Sequence, residues 1–225
     1  MLRTIGARRR EPMSNSPANG TPVVFVVDDD VSVRESLELL IRCEGWQPRL
    51  FASANEFLVH PRASVPSCLL LDVGLPDLTG LELQKCVATD SGRMPIIFIT
   101  GNGDVPTTVQ AMKAGAIEFL TKPLDGDVLL GAIREAIERS DVALGQEAEI
   151  VALRDRHASL SQRERQVMAL VVSGLLNKQV AAELGISEIT VKAHRGKVMR
   201  KMKAGSLADL VNMAARLGVR RETSG

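Results

Sequence analysis

Four short apolar runs punctuate the first half of the chain: Val23–Val27, Cys68–Leu71, Ile96–Ile99 and Glu118–Thr121. Their Val, Ile, Leu and Phe content predicts strands buried on both faces, as in a parallel sheet. The segments between them carry a helical period instead. Val33, Leu37, Leu40 and Ile41 line one face of a predicted helix over Val31–Cys43. A strand near Pro48–Phe51, a helix near Ala54–His60, the strand Cys68–Asp72 and a helix near Leu81–Ala88 follow. Strand Pro95–Thr100 leads to a helix with Pro106 in its first turn, where proline is favoured, and a stop at Gly115. Strand Ile117–Thr121 and a helix over Gly126–Ser140 complete the alternation. Five strands joined by crossover helices predict an α/β, doubly wound parallel sheet.

The pattern changes after Ser140. Residues 141–158 are charged and free of proline, with Leu144, Ile150 and Leu153 in a weakened helical stripe. They fit a flexible linker or a helix, and the helical linker is favoured. From Ser159 every element reads as helical. Ser161 and Glu164 have the spacing of a capping box, and the helix they open ends at Gly174. A short helix over Lys178–Leu184 stops at Gly185. Ser187 caps a longer helix reaching about Met202, and Ser206–Leu217 forms the last. Helix, tight turn, helix is the spacing of a helix-turn-helix. The expected organisation is a disordered tail over 1–21 (with Met13 as an alternative start), an α/β domain over 22–140, a linker over 141–158 and an all-α four-helix domain over 159–225.

Charge sharpens that division. The net charge of +1 conceals −7 over residues 22–140 and +7 over residues 159–225. A small basic block suggests a polyanionic partner. No apolar run approaches the roughly 20 residues needed to span a bilayer, so no membrane association is expected. The N-terminus lacks the apolar core of a secretory signal. Cys43, Cys68 and Cys86 are odd in number and widely spaced, and there are only three histidines. Zinc is therefore not expected, and buried free thiols in a reducing cytoplasm are.

Asp28-Asp29, Asp72, Thr100 and Lys122 each stand at or just past the end of an apolar run. If the strands lie side by side, these groups meet at the carboxyl edge, where open α/β sheets bind ligands. Repulsion among the carboxylates calls for a cation, and a divalent metal is the economical one. A carboxylate can accept a phosphoryl group, and such transfer needs positioning and charge neutralisation more than a base. A lone Asp after an apolar run is usually a cap or turn residue. Asp30 is read as a helix cap and Asp77 as a loop residue.

The motifs Val26-Val27-Asp28-Asp29-Asp30, Leu71-Asp72 with Leu75-Pro76-Asp77-Leu78-Thr79-Gly80, Ile99-Thr100-Gly101 and Thr121-Lys122-Pro123 resemble those of bacterial two-component receiver domains. The resemblance spans residues 22–140. It implies a sheet order of 2-1-3-4-5, with Asp72 as the phosphoacceptor. Asp29, Asp28 through water, Asp72 and the Gly74 backbone carbonyl would hold Mg²⁺ (or Mn²⁺). Thr100 and Lys122 would bind phosphoryl oxygens, with Lys122-Pro123 in the cis form. Gly74 and Asn102 occupy positions that tune phosphoryl lifetime in the family. Phe119 matches an aromatic switch, although a static half-buried strand residue is the plainer reading. The rival dehalogenase-type phosphatases need a second Asp two residues after the nucleophile, where this chain has Gly74. A pseudo-receiver feeding a constitutive DNA binder is countered by the intact set of motif residues.

Residues 159–220 resemble the LuxR-type helix-turn-helix of FixJ/NarL response regulators, through Leu160–Val167, Gly174–Ala181, Leu184-Gly185-Ile186-Ser187 and Thr190–Arg195. Periodicity puts Val191, Val198 and Met202 in the core, with Lys192, Ala193, Gly196, Lys197 and Arg200 opposite. By family position Lys192, Ala193 and Gly196 face bases, although Gly196 stands where a polar residue is common. Lys178, Thr190, Arg195, Lys197, Arg200 and Lys201 are candidates for phosphate contacts. His194 fits a backbone contact or a structural role. The last helix would be a dimer face. Taken together, the resemblances imply a cytoplasmic, phosphorylation-dependent transcriptional regulator, more in keeping with an activator. They imply no enzyme activity beyond accepting a phosphoryl group and catalysing its own dephosphorylation. A sensor histidine kinase, promoter DNA, a second copy of the chain after phosphorylation, and RNA polymerase are the implied partners.

Overall fold

The computed structural model describes residues 20–61, 64–87, 94–101 and 103–219. The expectations placed on residues 1–19 and on Asn102 lie outside the described residues. The chain divides into two compact units, residues 1–144 and 145–225.

The N-terminal unit is built on five strands: β1 (Val23–Val27), β2 (Gln47–Phe51), β3 (Ser67–Asp72), β4 (Ile96–Thr100) and β5 (Glu118–Thr121). They pair in parallel in the order β2-β1-β3-β4-β5. Every residue of β1, β3 and β4 is buried, which is why their sequences are continuous apolar runs. The edge strands are interrupted by exposed residues such as Gln47, Arg49 and Glu118.

Side chains alternate between the faces of the sheet. Val24, Val26, Leu70, Ile97 and Ile99 pack against Leu37 and Ile41 of α1 (Val31–Cys43) and Leu129 and Ile133 of α5 (Gly126–Ala158). Phe25, Val27, Leu69, Leu71 and Phe98 face α2 (Ala54–Leu58), α3 (Gly80–Cys86) and α4 (Val105–Lys113) through Phe57, Leu83 and Ala111.

Local signals set several boundaries. Asp30 caps α1 by accepting from the Ser32 backbone N–H at 2.8 Å, as expected. A Thr79–Glu82 capping box opens α3, and Asp104 opens α4. Gly115, at φ +93°, follows α4 in a left-handed conformation that favours glycine. Helix α2 stops at Leu58, short of His60. Helix α5 does not stop at Ser140 but continues to Ala158, through the segment read as linker. The three cysteines are free, but only Cys68 is buried; Cys43 and Cys86 are exposed, against expectation. Both stand at helix C-termini, turned away from the sheet-facing stripe.

The C-terminal unit contains α6 (Gln162–Val172), α7 (Asn177–Leu184), α8 (Glu188–Met202) and α9 (Leu207–Leu217). Val198 and Met202 pack with Met168, Leu210 and Ala214, while Val191 packs with Val167, Val171 and Val180. The turn between α7 and α8 begins at Gly185, at φ +63°. Glu164 is buried in the Ser161 capping box. It accepts from Lys201 Nζ at 2.7 Å and from the Ser161 N–H at 2.8 Å. These bonds, Lys201 first, hold its carboxyl well below the usual range, at about 2.

A depressed carboxyl pKa contributes stability that is present above the ordinary value and lost as pH falls toward the folded one. Glu164→Gln is therefore expected to cost about 1–2 kcal/mol near neutrality, moderated by solvent screening at Lys201. The gap from the parent protein should close between about pH 4.5 and 2. Urea unfolding followed by circular dichroism checks this, because the single Trp lies in the other unit. A gap independent of pH would contradict the ion-pair account.

Candidate functional site

The sheet register brings the strand ends level: Val27 pairs with Leu71, Asp72 with Ile99, and Thr100 with Thr121. Asp28, Asp72, Thr100 and Lys122 therefore gather at the carboxyl edge. Asp28 is fully buried and Asp72 is 8 % exposed, whereas Asp29 is exposed. Carboxylate oxygens of Asp28, Asp29 and Asp72 lie within 4.8 Å of one another. Three hard oxygen donors at that spacing suit a hard divalent cation.

Lys122 lies across this cluster. Its Nζ donates to Asp28 Oδ2 at 2.8 Å and to Asp72 Oδ2 at 3.0 Å. The Lys122 backbone N–H donates to the Thr100 carbonyl at 2.7 Å, fixing the start of the following loop, and Lys122-Pro123 is cis. Burial lowers the ammonium pKa, but its hydrogen bonds to the Asp28 and Asp72 carboxylates, with their charge, outweigh it and the net shift is upward. Burial raises the Asp28 pKa despite hydrogen bonds from Lys122 and the Asp30 N–H. The ammonium thus stays charged beside a carboxylate that burial makes costly to ionise.

The loop after β3 carries the remaining features. The Gly74 N–H donates to Asp72 Oδ1 at 3.2 Å. Asp77 is a loop residue, as expected, but its carboxylate accepts from the Ala54 and Asn55 N–H groups at 3.2 and 2.8 Å and ties the loop to α2. Sequence reading missed that bond, which spans more than twenty residues. It named Gly80 only as a loop and motif residue, whereas a Cβ there would meet the Asp72 carbonyl oxygen at 2.5 Å. Phe119 is half-buried, with its ring centroid 6.0 Å from that of Phe98. Gly103 borders the same ring, since a Cβ on it would lie 3.2 Å from Phe119.

In the C-terminal unit, α8 has the two faces expected. Val191, Val198 and Met202 are buried, while Lys192, Ala193, Gly196, Lys197 and Arg200 are exposed. Lys178 and Thr190 are exposed too, with Thr190 Oγ1 2.8 Å from Ser187 Oγ. Arg195 is half-buried and donates to Asn177 Oδ1 at 3.2 Å. Lys201 departs from expectation: it is held by Glu164 and by the Ser159 carbonyl, which makes it a structural residue rather than a free phosphate contact. His194 is half-buried, and its Nδ1 is buried without a hydrogen-bond partner, which favours the structural reading.

Comparison with known proteins assigns a family to each unit. Residues 24–134 match the response regulator receiver domain, and residues 158–214 match the bacterial regulatory proteins of the luxR family. Nodulation protein W of Bradyrhizobium diazoefficiens is 49 % identical over 205 residues, covering 91 % of this chain and 90 % of the relative. Transcriptional regulatory protein FixJ of the same organism is 42 % identical over 196 residues, covering 87 % and 96 %. The solved structure of response regulator StyR aligns with a TM-score of 0.78 at 45 % identity, covering 88 % of this chain and all of that one. The chain therefore belongs to the two-component response regulators that join a receiver domain to a luxR-family DNA-binding domain, and it is a transcriptional regulator.

Proposed function

We propose that Asp72 accepts a phosphoryl group from a sensor histidine kinase and that the acyl phosphate promotes dimerisation and promoter binding. The observation that carries this reading is Lys122 Nζ at 2.8 and 3.0 Å from Asp28 and Asp72, within the three-carboxylate cluster. In the transfer, an Asp72 oxygen forms a bond to phosphorus as the bond to the donor imidazole nitrogen breaks. Asp28, Asp29, Asp72 and the Gly74 carbonyl would hold Mg²⁺ (or Mn²⁺), which neutralises phosphoryl charge when bound. The Lys122 ammonium and the Thr100 hydroxyl bind phosphoryl oxygens. Movement of Thr100 toward the phosphoryl group makes room for Phe119 to turn inward, altering α4 and β5, a packing change biased by local charge. Gly74 offers little steric cover against water, which permits self-catalysed dephosphorylation.

The receiver is assigned to residues 22–140, the linker to 141–158 and the DNA-binding domain to 159–225. Within the latter, Lys192, Ala193 and Gly196 face bases, while Lys178, Thr190, Arg195, Lys197 and Arg200 contact phosphates. The protein acts in the cytoplasm, as an activator in contact with RNA polymerase.

Acetyl phosphate with Mg²⁺ is expected to add one phosphoryl group to the full-length protein. Hydroxylamine should remove it and a chelator should prevent it. A hydroxylamine-stable adduct, or none, would rule out the acyl phosphate. Lys192→Ala is expected to weaken DNA binding and relax sequence preference, by about 1–3 kcal/mol if it pairs with a guanine. If only the salt slope changes, Lys192 contacts phosphate instead.

A further inference from the structure

Helix α8 presents an apolar residue at the centre of its outward face, next to its N-terminus. Ile189 is 80 % exposed, the most exposed large apolar side chain among the described residues of the C-terminal unit. It is the second residue of a 15-residue helix. Successive residues turn by roughly 100° around a helix. Measured from buried Val191, Ile189, Ala193, Gly196 and Arg200 all lie within about 40° of the direction opposite the core. Lys192 and Lys197 lie on the two flanks of that stripe. The centre of the face is therefore Ile, Ala, Gly and Arg, with a lysine on either side.

Exposing a large aliphatic side chain in the middle of a basic surface leaves apolar area in water. The major groove supplies an apolar partner for it in the C5 methyl of thymine. In helix-turn-helix proteins the N-terminal residues of the recognition helix are the ones that reach base edges. Ile189 has that position. Ala193 and Gly196, one and two turns further on, have little bulk to hold the helix away from the groove floor. The backbone beside Ile189 is fixed: Ser187 accepts from the Thr190 N–H at 3.2 Å, and the Ser187 and Thr190 hydroxyls lie 2.8 Å apart. The side chain is thus presented from a rigid helix start.

We propose that Ile189 is a specificity-determining residue that reads a thymine through its methyl group. The inference rests on α8 being the groove-facing helix, and it adds a contact that the pattern of charged residues does not reveal.

The test uses the full-length protein treated with acetyl phosphate and Mg²⁺. Preferred duplexes are selected from a randomised pool, and each thymine of the selected site is then replaced in turn by deoxyuridine, which removes only the methyl. For the parent protein, at least one replacement is expected to weaken binding about fourfold per half-site, the worth of one buried methyl-sized group. Ile189→Ala should bind the thymine duplex correspondingly less well and be indifferent to that replacement, while Ile189→Val should fall between. Because the side chain is exposed, unfolding midpoints should match the parent's. Equal uracil sensitivity in Ile189→Ala at every position, or unchanged affinity of that variant, overturns the proposal. Failure of the parent protein to select any sequence would instead refute the groove-facing assignment of α8 and remove the basis of the inference.

Discussion

Asp72→Asn is expected to abolish phosphoryl labelling by acetyl phosphate while leaving the fold intact. The amide is nearly isosteric with the carboxylate but is a poor nucleophile, so no acyl phosphate forms. Lys122 also donates to Asp28, at 2.8 Å in the parent, so the pocket of the variant is expected to retain a paired cation. Loss of labelling with an unchanged unfolding transition therefore separates chemistry from folding. Labelling at the parent's stoichiometry would move the phosphoacceptor elsewhere.

Gly80→Ala is expected to damage stability and labelling together. Alanine is the better helix former, by roughly 1 kcal/mol. Against that gain, the added Cβ would lie 2.5 Å from the Asp72 carbonyl oxygen and 3.0 Å from Phe98 Cε1 and the Val73 Cα. Two of those three neighbours belong to the backbone at the end of β3, where pairing with β4 limits any shift. Overpacking of this kind costs about 1–3 kcal/mol, so the clash should outweigh the propensity gain. Urea unfolding followed by Trp46 fluorescence reads the stability of the same unit, and the initial labelling rate reads the displacement of Asp72. A variant equal to the parent in both would show that the loop after β3 yields freely.

The sheet was legible in the sequence because β1, β3 and β4 are covered on both faces and leave unbroken apolar runs. The carboxyl-edge cluster was legible for a related reason: strand ends in a parallel sheet lie at one edge, so residues just past each run must converge. What escaped notice depended on contacts distant in sequence or on the absence of a side chain. Asp77 looks like any loop aspartate until α2 is placed beside it. Gly80 stands in the motif, but its packing role shows only in how closely the Asp72 carbonyl approaches. The helical reading favoured for residues 141–158 agrees with α5, which runs on to Ala158, although the weakened apolar stripe also left a flexible linker open. In the basic unit, the face read from the sequence held Lys192, Ala193, Gly196, Lys197 and Arg200, but left out Ile189, which helical geometry places close to its centre. Lys201 counted toward a DNA surface until its bond to Glu164 was seen.

The central claim is that phosphorylation at Asp72 controls DNA binding. Its most direct test is the affinity of the full-length protein and of Asp72→Asn for one selected duplex, each measured with and without acetyl phosphate and Mg²⁺. Coupling between sites is typically worth about 5- to 150-fold in affinity. The parent protein should tighten within that range on phosphorylation, and Asp72→Asn should not respond. A parent protein that carries the phosphoryl group yet binds the duplex with unchanged affinity would contradict the account.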